Sequence, residues 1–133
     1  MSAATLLSAA RTALERYVDV TADPDGSLSF VHSDVPCAVQ AVQLAEGLVV
    51  LSVTCVLAWD LRPGPELSAE VARLGAEVQF GGLGLVQVER SADVTLRYAF
   101  PAAGLAQEPL ATLLLLVVSG ASRARTELRA VLS

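Results

Sequence analysis

Lysine is missing from this chain. All nine basic residues are arginine, set against 14 acids, and the net charge is −5. A bias in genomic base composition explains the arginines more simply than any use of their guanidinium fork. Non-specific binding to nucleic acid or to an anionic membrane needs clustered cations, so this balance argues against both as partners. Histidine occurs once, at His32. A nucleophilic triad would have to use that residue, and no Gly-x-Ser-x-Gly elbow is present to offer it a serine. A lone histidine at a strand end reads as a polar tip. One histidine and two separated cysteines do not make a usual zinc site without carboxylates. Cys37 and Cys55 each lie in an apolar, strand-like run. They read as small buried hydrophobes in a reducing compartment, with a disulfide between neighbouring strands as the alternative. Long hydrophobic runs are also lacking. The two apolar peaks, residues 48–59 and 110–118, are too short to span a bilayer as helices. The first residues lack a basic segment followed by an unbroken apolar run, so they do not read as a signal peptide. A soluble cytoplasmic protein with no membrane insertion is expected.

What is present is apolar. Hydrophobic residues make up 53% of the chain and charged ones 17%, which argues against disorder and for one domain over residues 1–133 with its own core. Residues 48–59 are rich in β-branched side chains with little alternation, and predict a central strand covered on both faces.

The chain is read in order around that strand. Leu6, Ala10, Leu14 and Tyr17 fall on one stripe, predicting a helix over residues 3–17 with Ser2 or Thr5 as its cap. Asp23-Pro24-Asp25-Gly26 is a strong turn signal. It has the start of a calcium loop, but the following residues supply no further acids, so a turn is the better reading. Leu28, Phe30 and His32 alternate as in a half-buried strand. Ser33-Asp34-Val35-Pro36 predicts a second turn, residues 37–44 a strand, and Ala45-Glu46-Gly47 a tight turn into the central strand. These three strands form an antiparallel meander.

Arg62-Pro63-Gly64-Pro65 stops the central strand. A second helix over residues 66–80 follows from Leu67, Val71, Leu74 and Val78, with Glu70 and Arg73 spaced to pair on its surface. Gly75 in its middle costs about 1 kcal/mol against Ala, which predicts a close neighbour there. Gly81-Gly82-Leu83-Gly84 precedes a strand instead of opening a helix, so it reads as a helix stop and turn, not as a phosphate loop. Residues 85–89 and 94–100 form a hairpin about Arg90-Ser91-Ala92-Asp93. Val94, Leu96, Tyr98 and Phe100 share one face of the second strand, and Thr95, Arg97 and Ala99 the other.

Glu108-Pro109 opens the last helix. Leu110, Leu113, Leu114, Val117, Ala121, Ala124, Leu128 and Val131 form its apolar stripe. Leu115, Leu116 and Val118 lie outside that stripe, so the first half of the helix predicts burial on two sides, by the sheet and by something else. Arg123, Arg125 and Arg129 suit the negative end of the helix dipole.

The resulting order, α-β-β-β-α-β-β-α, predicts an α+β fold with helices packed on an antiparallel sheet. With two stretches it resembles the YbjN family, described as bacterial sensory-transduction regulators and similar in fold to the specificity chaperones of type III secretion. The first stretch is Asp23-Pro24-Asp25-Gly26-Ser27-Leu28. The second runs from Leu74-Gly75-Ala76-Glu77-Val78-Gln79-Phe80-Gly81-Gly82-Leu83-Gly84 through Val94-Thr95-Leu96-Arg97-Tyr98-Ala99-Phe100-Pro101. The family often carries an Asn late in the second helix, where Gly75 stands here, so a function resting on that Asn would be absent. The resemblance implies a domain that binds other proteins and often dimerises, without catalysis.

The leading expectation is therefore a non-enzymatic protein-binding module, chaperone-like or regulatory, acting as a homodimer without a cofactor. Its expected interface is the surplus apolar surface of the last helix, Leu113, Leu115, Leu116 and Val118. The alternative is a small-molecule-binding or enzymatic domain with a pocket between the sheet and that helix, using Tyr98, Arg97 and His32. A secretion accessory protein would share the fold of the first reading and differ in its partner.

Overall fold

A computed structural model describes residues 1–132. Three helices and six strands run in the order α1 (Ala3–Leu14), β1 (Thr21–Ala22), β2 (Leu28–His32), β3 (Val35–Ala45), β4 (Leu48–Leu61), α2 (Pro65–Glu77), β5 (Gly82–Val88), β6 (Ser91–Phe100) and α3 (Gln107–Leu132). The fold is α+β, as the periodicities predict. Two-residue β1 is an addition. It pairs Thr21 with Ser29 and Ala22 with Leu28 across the Asp23–Gly26 turn.

All strands are antiparallel and lie in the order β1-β2-β3-β4-β6-β5. β4 is interior, flanked by β3 and β6, because its run of Val, Leu and Cys is the most apolar among the strands. Only one of its faces carries helices. Leu51, Val53, Cys55 and Leu57 are fully buried beneath them, whereas Ser52, Thr54 and Val56 on the other face are half-buried. The expectation of cover on both faces fails because small and hydroxyl side chains alternate with the apolar ones. That is the pattern of a sheet with one solvated face.

α3 crosses the covered face between the other two helices. α1 packs on α3, β3 and β4, and α2 on β5 and α3. Gln107 Nε2 at the start of α3 donates to Ala9 O of α1 at 3.0 Å. The first two helices are shorter than their apolar spacing implies. α1 ends at Leu14, and Tyr17 is left exposed. α2 ends at Glu77, with Val78 and Phe80 half-buried beyond it. Ser2 caps α1, its Oγ accepting from Thr5 N at 3.1 Å. Arg73 bonds Glu70 as the spacing predicts, and also Glu77 at 3.2 Å.

Turns fall where the small polar residues are, often tighter than expected. Ser33 and Asp34 both take positive φ, at 49° and 65°, in a two-residue turn between His32 and Val35. Pro36 thus lies inside β3. Glu89 and Arg90 likewise join paired Val88 and Ser91, so β6 begins three residues earlier than its alternation shows. Gly81 is the glycine the fold cannot replace. Its φ is +94°, and an added Cβ would stand 2.8 Å from Arg97 O. Gly75 has no such neighbour: a Cβ there would meet Leu83 Cβ at 3.9 Å, an ordinary contact. Among the described residues no helix is long and apolar enough to cross a membrane.

Candidate protein-interaction site

The four expected interface positions on α3 separate in the structure. Val118 is 3% exposed and belongs to the core. Leu113 and Leu115 are half-buried against that core. Leu116 alone is exposed, at 48%, and lines a groove of about 380 Å³ with Leu74, Val78 and Phe80 of the α2 end. Most of the second-side burial that the α3 sequence demanded is therefore supplied within the chain, by α1 and α2 flanking it.

The polar trio of the alternative reading is dispersed. Tyr98 lies on the helix-covered face, stacked on Phe100 at 5.1 Å between centroids and tilted against Phe80 at 5.9 Å. His32 lies on the same face at the margin of the sheet, where its Nδ1 is 3.0 Å from Ser122 Oγ of α3. Arg97 is on the opposite face, because it alternates with Leu96 and Tyr98. Between sheet and α3, Leu51, Val53, Cys55, Leu114, Val117 and Ala121 are at most 1% exposed.

Other sequence candidates resolve into structure. Cys37 and Cys55 are cross-strand partners with Sγ atoms 3.5 Å apart, and both remain thiols. The hydrogen bond to Cys55 and burial push the Cys37 thiol far above its usual range, so it is a poor nucleophile at neutral pH. The acids of the Asp23–Gly26 turn bond to the turn and the start of β2. Asp25 Oδ1 accepts from Ser27 Oγ at 2.6 Å and Ser27 N at 2.9 Å, and Asp23 Oδ1 accepts from Ser29 Oγ at 3.1 Å. The side-chain bond from Ser27, and then the one from its backbone N–H, hold the Asp25 carboxyl below the usual carboxylate range. Among the described residues no group of three or more His, Cys, Asp or Glu side chains is placed to hold a metal ion.

What remains is the helix-free face of the sheet. The strand registers put Val31 of β2, Ala38, Gln40 and Val42 of β3, and Ser52 and Thr54 of β4 on it. Thr95, Arg97 and Ala99 of β6 and Gly82, Gly84 and Val86 of β5 join them. Small and uncharged side chains occupy its middle, and exposed valines its margins: Val31 at 62%, Val42 at 39% and Val86 at 51%. Arg97 is the one charge in that middle, and Asp93 lies toward one end, where its Oδ1 accepts from Asp60 N at 3.1 Å. Sequence reasoning missed this surface by assigning β4 two covered faces. The alternation of Ser52, Thr54 and Val56 with the buried residues was the available signal.

No family model matches the chain, and no curated protein matches it in sequence. Among solved structures it is similar to YbjN of E. coli, titled "a putative transcription regulator", with a TM-score of 0.68 over 93% of this chain and 91% of that one at 16% identity. The likeness is one of fold, and the chain has a YbjN-like fold.

Proposed function

We propose that the chain is a one-domain, non-enzymatic protein-binding module, chaperone-like or regulatory, that works as a homodimer in the cytoplasm. The observation that carries this reading is the helix-free sheet face, with Arg97 as the one charge in its middle, on a molecule of net charge −5. Two such faces can meet without burying a carboxylate in their middle, and each brings one charge to the contact, the exposed guanidinium of Arg97. Five strands about 4.8 Å apart, paired over about eight residues of ~3.3 Å each, span roughly 600 Å² before side-chain relief is added. That approaches the ~800 Å² per partner of a standard specific interface. A symmetric pair would also be self-complementary, the commonest arrangement of soluble oligomers. In a reducing cytoplasm Cys37 and Cys55 would stay thiols, and nucleic acid and membrane lie outside this reading. YbjN of E. coli, described as a transcription regulator, is in keeping with the regulatory side of this reading.

The test is light scattering on a size-exclusion column over a dilution series. Wild type should elute with about twice the 13.8 kDa chain mass. Gln40→Glu with Ala99→Glu, both at exposed positions of the face, should give a folded monomer at the same concentration. A wild-type monomer at every concentration, or a double variant that still dimerises, would refute the sheet-face dimer.

A further inference from the structure

β4 outruns its neighbour. The β3–β4 ladder ends at Cys37 and Cys55, and β4 continues to Leu61. The free end is bulged, since Val56 pairs with Thr95 and Ala58 with Val94, which leaves Leu57 without a partner in β6. The last turns of α3 reach across to it. Arg125 Nη1 donates to Leu57 O at 2.8 Å, and its guanidinium carbon stands 5.6 Å from the centroid of the Trp59 ring. Arg125 is thus a strut. It satisfies a backbone carbonyl that the ladder leaves open and holds the Trp59 ring by a cation–π contact.

Trp59 is nevertheless 49% exposed. It forms one wall of an apolar hollow of about 310 Å³, with Leu57, Ala58, Leu61 and Leu132 as the others. Arg125 and Arg129 border this hollow and also a second one of about 610 Å³, which continues past Ser122, Arg123, Thr126 and Asp34. Two of the nine arginines, Arg125 and Arg129, therefore stand beside the single tryptophan, and Arg123 joins them in the second hollow, where it also borders the α2–α3 groove near Glu77 and Glu127. Among the described residues Arg123 and Arg129 form no ion pair, and Asp34 is the one acid in these walls.

We propose that this corner docks an acidic peptide segment of another protein. An apolar side chain of the segment fills the Trp59 hollow, and its carboxylates meet Arg129 and Arg123. Trp and Arg are the side chains most enriched where interfaces draw their energy. The Arg125 strut fixes the ring beforehand, so less freedom is lost on binding. Carboxylates suit this corner because it gathers unpaired guanidinium groups on an otherwise acidic molecule. Nucleic acid would need a longer tract of cations than three arginines offset by Asp34. The corner is made by α3 and the end of β4, apart from the middle of the helix-free face, so the peptide and a second copy of the chain do not compete for it.

Because Trp59 is the sole tryptophan, its own fluorescence reports on the site. The full chain is titrated with a twelve-residue peptide of alternating Glu and Leu, with the same peptide carrying Lys for Glu, and with inorganic phosphate. The acidic peptide should produce a saturable change in Trp59 emission that weakens with added salt, and the other two should produce none. Arg129→Glu, at an exposed position, should weaken binding about tenfold or more, with Arg123→Glu as an independent second variant. An unchanged emission, an equal response to the Lys peptide or to phosphate, or full affinity in both variants would overturn the proposal. Light scattering on the same samples keeps this outcome separate from that of the sheet-face dimer.

Discussion

Gly75 and Cys37 show how a single residue's surroundings decide its role. Composition alone treats a mid-helix glycine as a cost that needs a steric reason. The structure offers none, since a methyl group would find only Leu83 Cβ at 3.9 Å. Gly75→Ala should therefore stabilise the protein by about 0.5–1 kcal/mol, through helix propensity and a less flexible unfolded chain. Thermal unfolding should record a rise of a few degrees, and a fall would reveal a hidden clash. Cys37 was legible as a buried thiol, but its pairing with Cys55 was not, because the β3–β4 register depends on the Glu46–Gly47 turn. With the thiol form favoured by Cys55 and by burial, alkylation by iodoacetamide at pH 8 should be negligible in the native state and rapid in urea. Equal rates in both would mean that the sheet opens freely around these strands.

At the scale of elements, helix and strand identities were legible because apolar spacing encodes them directly. Boundaries were less so. Tyr17 continues the α1 stripe in sequence, yet α1 stops at Leu14, so that the chain can turn toward β1. The α3 sequence correctly demanded burial on two sides, but spacing does not say which element supplies the second. α1 and α2 do so, which divides the expected interface residues. Val118→Glu would place an unpaired carboxylate in the core and should cost more than about 4 kcal/mol. Leu116→Glu should change stability by about 1 kcal/mol or less and leave the mass in solution unaltered. Urea titrations with light scattering check both. A folded, monomeric Leu116→Glu protein would shift the dimer contact from the sheet to the groove between α2 and α3.

For the whole molecule, charge separates the two proposed surfaces. The chain carries −5 overall, while the sheet face is nearly neutral and the Trp59 corner is cationic. Salt should thus leave the sheet-face dimer unchanged or tighten it, by screening repulsion between two acidic chains, whereas peptide binding at the corner should weaken. Sedimentation equilibrium at low and high salt reads the first effect. A dimer that dissociates on adding salt would point to ion pairs at its interface instead. The alternation within β4 signalled a solvated face, but which residues share that face, and the whole of the Trp59 corner, were not legible in the sequence, because both depend on long-range placement. Strand register brings Gln40, Ser52 and Ala99 together, and Arg125 meets Leu57 and Trp59 only through tertiary packing.

The strand order β4-β6-β5 also sets a schedule for synthesis. β4 is complete by residue 61, yet the strand that covers its second edge spans residues 91–100. At about 5–20 residues per second, a nascent chain carries its most apolar strand with one edge unpaired for roughly 2–8 s. β5 emerges first but cannot fill the gap, since its own neighbour is β6. The interval in which this protein is most exposed to aggregation thus falls before the last quarter of the chain is made, when the mature surface does not yet exist.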